Sequence, residues 1–359
     1  MLEGKDLILA TRKYAKEDRA RSWRVLISTT ILLFLTSIGG IINFHIIPQL
    51  ICAILTGLLI VRFFIIYHDY MHKAILQHSG FAKALFTLLG LFILAPSSIW
   101  KRSHDHHHVH NSKLYTSSIG SFPLVTKKEY LQGSRLERRI YLFIRHPITI
   151  LFGYVFAFIW GFCIRTLVKS ADKHMDALVA LLFHFGVGVA VYFTLGLQSF
   201  LIGFLIPSFM YGAMGSYLFY AQHNFPDAKF KRKEEWNYTF AALRSSSYMK
   251  MSKVMHWFTG NIGYHHIHHI NSKIPFYKLP TVFKEMPELQ HPGTTSLMPW
   301  DVYRCLKIKA WDHDTDQMIG LKEIRRAMKE AKKYALVKNR VFMSTSTDNT
   351  ESDKELDGS

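Results

Sequence analysis

The chain has 359 residues, of which 49% are hydrophobic and only 19% charged, below the roughly 25% charged residues of soluble domains. The stretches 25–61 and 177–226 contain no Asp, Glu, Lys or Arg, and each is long enough for two helical membrane crossings of roughly 20 residues. A soluble globular protein is therefore excluded. The net charge of +18 would suit nucleic acid, but the basic residues flank the apolar segments, as on cytoplasmic flanks of membrane helices. We expect no nucleic-acid partner.

The first elements in chain order form a membrane anchor. Residues 1–24 are polar and basic, which predicts a cytoplasmic N-terminus lying at the membrane interface. Residues 25–67 predict a helical hairpin. The run 84–99 is short for a crossing, so it predicts an interfacial segment. The residues expected to break the hairpin are Gly39, Gly40, Asn43 and Pro48.

The rest of the membrane domain, which we place at 25–342, holds a basic loop and three further apolar runs. The loop spans 100–146. Because all the histidine clusters described below must meet on one side of the membrane, one of the three later runs should be re-entrant or interfacial, and the sequence does not say which. An amphipathic helix is expected around 321–334, and residues 343–359 predict a disordered acidic tail. The three later apolar runs are 147–164, 177–197 and 199–221.

Two histidine clusters follow the early apolar segments. In HDYMH, His68 and His72 stand at i and i+4 on one helical face, so both imidazoles reach one metal ion. A chance pair at a membrane boundary explains that spacing equally well. WKRSHDHHHVHN is stronger, with five histidines in seven residues. His104, His107 and His108 share one face there. His106 and His110 share another face, where they could either support the metal ligands or simply be exposed to solvent.

The third cluster, GYHHIHH, repeats the i, i+3, i+4 spacing about 160 residues later with His265, His268 and His269. This repetition is the strongest signal in the sequence. His223 in QHNF is a further candidate, although a lone histidine at a helix end is more often structural. Eight or nine imidazoles exceed the three or four ligands of one ion, which predicts two metal ions. Imidazole suits Zn, Cu, Fe or Ni, so ligand type does not choose the metal.

The order of these boxes resembles that of the integral-membrane fatty acid desaturases. The likeness covers most of residues 20–315 and includes FYAQHNF and NIGYHHIHHINSKIPFYKLP. The first two boxes are shared with hydroxylases of the wider superfamily, whereas 261–280 is more specific to acyl-chain desaturases. The resemblance implies an oxidoreductase that uses two irons and O2 to introduce a cis double bond into the acyl chain of a membrane lipid.

The resemblance also implies the site residues. A further histidine precedes the last box in the family, which favours His223 as a ninth ligand. Asp69 and Asp105 inside the boxes are candidates for orienting ligand rings, although solvated helix-surface acids fit equally well. The implied iron ligands are His68, His72, His104, His107, His108, His223, His265, His268 and His269.

Electrons are expected from a separate protein. The HPG at 291–293 stands alone without a cytochrome b5 domain around it, and the sequence has no GxGxxG or cysteine set for flavin, NAD or an iron–sulfur cluster. We expect a donor of the ferredoxin or cytochrome b5 type, docked on the basic cytoplasmic loops. The same basic residues are equally well explained as positively charged cytoplasmic flanks of membrane helices. The lack of a fused electron donor favours a bacterial plasma-membrane enzyme that forms a Δ12/omega-6 or Δ5 bond, with the endoplasmic reticulum as the alternative location. No motif fixes bond position or acyl carrier.

The sequence thus predicts an all-α integral membrane protein with about four transmembrane helices, interfacial or re-entrant segments, and a cytoplasmic helical cap that holds the histidine boxes. A hydroxylase of an alkane, sterol or carotenoid would use the same metal unit and form an alcohol instead of an alkene. A metal transporter would need ionisable groups within its spans. The spans contain few ionisable residues beyond His184 and Arg62. The Arg62 side chain could either extend to the membrane interface or contact an acyl headgroup.

Overall fold

The computed structural model describes residues 2–116, 119–331 and 333. The predicted all-α membrane class is confirmed, because helices dominate the described residues and their strands form only two-stranded pairs. The predicted tail at 343–359 lies outside the described residues. The α-helices are α1 Gly4–Ala10, α2 Arg19–Ile41, α3 Ile46–Met71, α4 Gly80–Phe92, α5 Ser97–Val109, α6 Lys127–Gln132, α7 Arg135–Ile144, α8 Pro147–Leu151, α9 Arg165–Ser170, α10 Met175–Ser199, α11 Ile206–Ala221, α12 Tyr238–Arg244, α13 Lys253–Phe258, α14 His265–Ile270, α15 Leu279–Glu285 and α16 Pro299–Lys307.

The remaining regular structure is short. Two stretches, Tyr154–Ile164 and Phe200–Leu205, are π-helical, and residues 321–331 are helical as far as they are described. One strand pair is parallel and the other antiparallel, with Ile308 opposite Gly320. The strands are β1 Tyr248–Lys250, paired with β2 Thr294–Ser296, and β3 Ile308–Asp312, paired with β4 Gln317–Gly320.

Helices α2 and α3 form the predicted hairpin, but the predicted break is wrong in part. Gly39 and Gly40 lie inside α2, which continues to Ile41. Pro48 lies in the first turn of α3, where its missing N–H costs no helical hydrogen bond. At the end of α2 the close approach of backbones instead requires a glycine at position 203, since a Cβ on Gly203 would lie 2.7 Å from the Gly40 carbonyl oxygen.

The axes of α4 and α5 meet at an angle of 92°. The apolar run 84–99, predicted not to cross the membrane, therefore forms a corner between the two helices. At the corner the helical hydrogen bonds are interrupted, so the backbone carbonyls there need other hydrogen-bond donors, because lipid supplies none. His184 Nδ1 lies 2.5 Å from the Phe92 oxygen, and Tyr67 Oη donates to the Ala95 oxygen at 3.3 Å. The Cys163 thiol lies 3.7 Å from the Leu94 oxygen. Side chains from three other segments therefore complete the corner.

Within the described residues, four helical stretches are long and apolar enough to cross a membrane, and the last one turns back on itself. Within Met175–Ala221, Gly196 has φ 85° and ψ 175°, a combination that only glycine adopts easily. The chain on either side of this turn contacts the α2–α3 turn, because Ser199 Oγ donates to the Ile41 oxygen at 2.6 Å and Asn43 Nδ2 donates to the Leu195 oxygen at 3.2 Å. The four stretches are Arg19–Ile41, Ile46–Met71, Tyr154–Lys173 and Met175–Ala221.

A polar cap lies beyond the membrane helices and contacts the N-terminal segment. Tyr14 Oη donates to Glu285 at 2.7 Å. Asn271, directly after α14, donates to Thr11 Oγ1 at 3.0 Å. The cap also includes part of the 100–146 loop, since the Trp311 amide in β3 donates to the Val125 oxygen. These contacts fix the chain around the histidine boxes.

Candidate metal centre

The first two boxes lie on helices that converge from different directions. His68 lies in the last turn of α3 and His72 directly follows that helix, so the i, i+4 spacing places both on one face. On α5, His104, His107 and His108 are buried. The 92° corner before α5 brings this second box back toward the end of α3.

The histidines predicted to face elsewhere do so. The His106 and His110 rings contact each other in a tilted arrangement with centroids 4.3 Å apart, on a different face of α5 from the buried histidines. In α14, His266 is buried, but its Nε2 donates to the Leu289 oxygen at 3.0 Å. The same short helix directs His265, His268 and His269 toward the other boxes.

His223 follows α11 and joins the other boxes. Its Nδ1 donates to the Ser245 carbonyl oxygen at 3.1 Å, which leaves the Nε2 lone pair directed away from that backbone. Its Nε2 lies 3.0 Å from that of His107 and 2.9 Å from that of His265. The lone histidine is thus placed between the second and third boxes.

The nine predicted histidines form two adjoining groups, in each of which the ligand atoms lie within 4.8 Å of one another. Group 1 combines the first box with parts of the second and third. Group 2 combines His223 with the remainder. Group 1 is His68, His72, His104, His108 and His268, and group 2 is His107, His223, His265 and His269.

The distances within each group show that the nitrogen lone pairs converge. Nε2 of His104 lies 2.9 Å from that of His72 and 3.1 Å from that of His108. A neutral Nε2 carries either one proton or one lone pair, so it cannot form hydrogen bonds to two such partners. His223 has the same double contact in group 2. Two nitrogens bound about 2.1 Å from one ion at right angles lie about 3 Å apart. Each group therefore fits a metal ion.

Removal from water keeps the imidazoles neutral, as metal ligands must be. Desolvation lowers the pKa of both His72 and His223 to about 4, from an ordinary value near 6.5. Desolvation, reinforced by neighbouring imidazoles, holds six further pKa values well below the ordinary range. These belong to His104, His107, His108, His265, His268 and His269.

The two acidic residues inside the boxes have different surroundings. Asp69 is 1% exposed, accepts from His68 Nδ1 at 3.1 Å, and accepts from the Phe276 amide at 2.6 Å. It can therefore fix the orientation of the His68 ring. Asp105 is exposed and forms an ion pair with Lys101. Its carboxylate lies on the solvated face of α5.

Three further contacts with the site were not predicted from the sequence. The Trp100 ring stacks on the His104 ring at 4.7 Å, the Ser245 oxygen orients His223, and the Phe276 amide holds Asp69. The last two act through the backbone, so side-chain identity gives no signal for them. Trp100 lies four residues before His104, which places it on the same helical face, and that spacing could have identified it.

The fold and these side chains define an integral membrane protein with a buried polyhistidine centre that fits metal ions. A sequence model of the fatty acid desaturase family matches residues 44–298, which include all nine histidines. The chain belongs to the fatty acid desaturase family. It is therefore an oxidoreductase of a family that acts on lipid acyl chains.

Named relatives are similar over most of the chain. The fatty acid desaturase of Bacillus subtilis is 32% identical over 269 residues, covering 74% of this chain and 75% of the relative. The sn-1 oleoyl-lipid 12-desaturase of Anabaena variabilis is 24% identical over 294 residues, covering 79% and 81% respectively. The chloroplastic omega-6 fatty acid desaturase of Glycine max is 26% identical over 292 residues, covering 79% and 67%.

Proposed function

We propose that this chain is an O2-dependent desaturase that introduces a cis double bond into the acyl chain of a membrane lipid, at a centre of two irons bound by the nine histidines. The observation that carries the proposal is the gathering of nine imidazoles into two adjoining groups, with Nε2 atoms about 3 Å apart. Family membership supports acyl-chain chemistry, and the relatives named as oleoyl-lipid desaturases support a lipid-linked substrate.

The protein's own residues bind and orient. Group 1 would hold one ion and group 2 the other, while Asp69 and the Ser245 oxygen fix the rings of His68 and His223. Two irons bound there would supply the activation of O2, which with two electrons and two protons takes two hydrogens from adjacent methylenes and leaves an alkene and two waters. Burial excludes bulk water from the ligands and keeps them neutral.

The proposed membrane topology is supported by contacts between the ends of different helical segments. The Gly196 turn contacts the α2–α3 turn, so both hairpins reach the side opposite the histidines. The segment 147–164 instead stays near the histidine side, because Cys163 contacts Leu94 at the α4–α5 corner. We assign four crossings, 19–41, 46–71, 175–195 and 197–221, with the histidines in the cytoplasm and the protein in a bacterial plasma membrane.

The electron donor is proposed to be a separate ferredoxin- or cytochrome b5-type protein that docks near group 2. A small surface cavity there is lined by His107 and His223 and, toward solvent, by His110 and Lys113. The Lys113 ammonium lies 3.9 Å from the centre of the Trp236 ring, so an aromatic ring contacts this cation of the cavity wall. This arrangement suits an acidic partner surface. A Lys113→Glu variant should slow reduction by such a donor and leave bound iron unchanged.

The test is expression in a host that supplies O2 and an electron donor but makes few unsaturated acids. A new alkene in the total fatty acids, located by mass spectrometry of adducts, is the expected result. His107→Ala should abolish it. Val109→Ala, at an exposed position of the same helix, should retain it. A hydroxylated product would assign the chain to the hydroxylases instead, and equal loss in both variants would contradict the ligand assignment.

A further inference from the structure

Arg62 is a buried cation inside an apolar helix. It lies within α3 and is 5% exposed. Its Nε donates to Thr29 Oγ1 of α2 at 3.1 Å, and its Nη1 donates to the Trp257 backbone oxygen. The guanidinium also stacks on the Trp257 ring, 4.1 Å from its centroid. These contacts hold the side chain in place, but they are all to neutral groups.

Arg62 lines a cavity with two more arginines. The cavity measures about 570 Å³, and Arg21 and Arg24 from the start of α2 line it too. It is a shallow groove, open along much of its length. Among the described residues no carboxylate lies within 4.0 Å of any of these three guanidinium groups. Three positive charges therefore share one cavity without a protein counter-ion.

The other end of the cavity is apolar. Ile27 and Ile31 of α2 line it, and both are about half exposed. Ile31 lies ten residues after Arg21, about 15 Å further along a helix. The Trp257 ring lies beside the arginines, the position that tryptophan prefers at a membrane–water boundary. The cavity thus pairs a cationic end with an apolar flank along one membrane helix.

We propose that this cavity binds an anionic glycerophospholipid, with its phosphate on Arg21, Arg24 and Arg62 and an acyl chain along Ile27 and Ile31. Arginine forms paired, charge-assisted hydrogen bonds to phosphate oxygens, and the flank supplies the matching apolar surface. The lipid contacts α2, α3 and the residue Trp257 of α13, so it joins the membrane hairpin to the cap. The site is separate from the histidine groups and does not depend on which reaction they perform.

The test is lipid binding to the full-length protein, measured by native mass spectrometry after detergent exchange. Phosphatidylglycerol should bind more tightly than phosphatidylcholine, because its headgroup carries no cation to oppose the arginines. Adding equimolar inorganic phosphate should not displace it, because phosphate lacks the acyl contact. Displacement by phosphate, or equal affinity for the two lipids, would overturn the assignment.

Matched variants locate the site. Removing two exposed arginines in R21Q/R24Q should weaken phosphatidylglycerol binding at least about tenfold, as expected when charged hydrogen bonds are lost. The control R12Q/K16Q removes the same charge from exposed positions nearby and should change the affinity by less than about twofold. Ile31→Asn should weaken lipid binding through the apolar flank. Equal effects of the two charge variants, or no effect of R21Q/R24Q, would contradict the proposal.

Discussion

At the scale of single residues, Asp69 joins parts of the chain that are distant in sequence. Its carboxylate contacts a histidine of the first box and the backbone of Phe276, beyond the third box. A carboxylate that accepts from a ligand's Nδ1 holds the ring and its proton in one arrangement. Asp69 therefore connects the orientation of one ligand to the folding of the cap.

Asp69→Asn tests this link. The amide has nearly the same shape, but it cannot accept both hydrogen bonds, because one of its two groups is a donor. We expect desaturation and metal affinity to fall by about 10- to 100-fold, as for other residues that orient metal ligands. Asp105→Asn on the solvated face of α5 is the control and should stay within about twofold. Metal analysis and product yield from the purified variants measure both effects.

Bound metal should resist mild acid. A ligand whose pKa is lowered stays neutral as the pH falls, so protons compete with the metal only near the lowered value. With the pKa of His72 and His223 at about 4, metal content should not change between about pH 7.5 and 5.5, whereas protons would begin to compete for imidazoles of ordinary pKa below about pH 6.5. Metal analysis after equilibration at each pH decides this. Half loss near pH 6.5 would contradict it.

At the scale of elements, the α4–α5 corner depends on side chains from other helices. His184 contacts the Phe92 oxygen through Nδ1 and accepts from Tyr154 Oη through Nε2 at 2.6 Å. Both ring nitrogens are thus occupied, and this histidine has a structural role. Both His184 and Tyr154 are buried, so this contact is shielded from solvent.

His184→Leu should therefore destabilise the protein. Leaving a buried carbonyl and hydroxyl without partners costs about 1–3 kcal/mol each, which thermal unfolding in detergent would detect as a lower midpoint. Leu182→Ala, on the exposed lipid-facing side of the same helix, is the control and should change the midpoint much less. An unchanged midpoint in the histidine variant would show that the corner does not need this partner.

Gly196 makes the second hairpin possible. Its φ and ψ lie in a region almost restricted to glycine, and nothing lies within 4 Å of where its Cβ would be. Gly196→Ala should thus cost about 1–3 kcal/mol through backbone strain alone. Gly186→Ala, equally unobstructed but inside the helix, should be stabilising by about 0.5–1 kcal/mol. The two variants would be compared by thermal unfolding, and effects of the same sign would argue against the strained turn.

At the scale of the whole molecule, the two hairpins predict which turns face away from the cytoplasm. With Cys52, Cys163 and Cys305 replaced, single cysteines at Asn43 and Leu197 should react with a membrane-impermeant reagent in intact cells. A cysteine at the exposed Val109 should react only after the membrane is opened. Labelling of Val109 in intact cells would exclude a common cytoplasmic side for the boxes.

The helical period made much of this site predictable. It places His104, His107 and His108 on one face, and the structure keeps them there. It does not reveal that His107 joins His223 while His104 joins His68, because the sharing of one box between two groups depends on how distant helices pack. The periodicity of the sequence also could not predict the α4–α5 corner or the Gly196 turn, since an apolar run has the same pattern whether it crosses the membrane, bends or turns back.

The mixed origin of the two groups has a consequence for how the protein is made. Each group contains at least one ligand from α14, and in group 2 two of the four come from that helix. A ribosome that has not yet passed residue 269 has therefore produced a chain with neither group complete. A chain that ends before α14 would therefore retain four of the five histidines of group 1 but only two of the four of group 2.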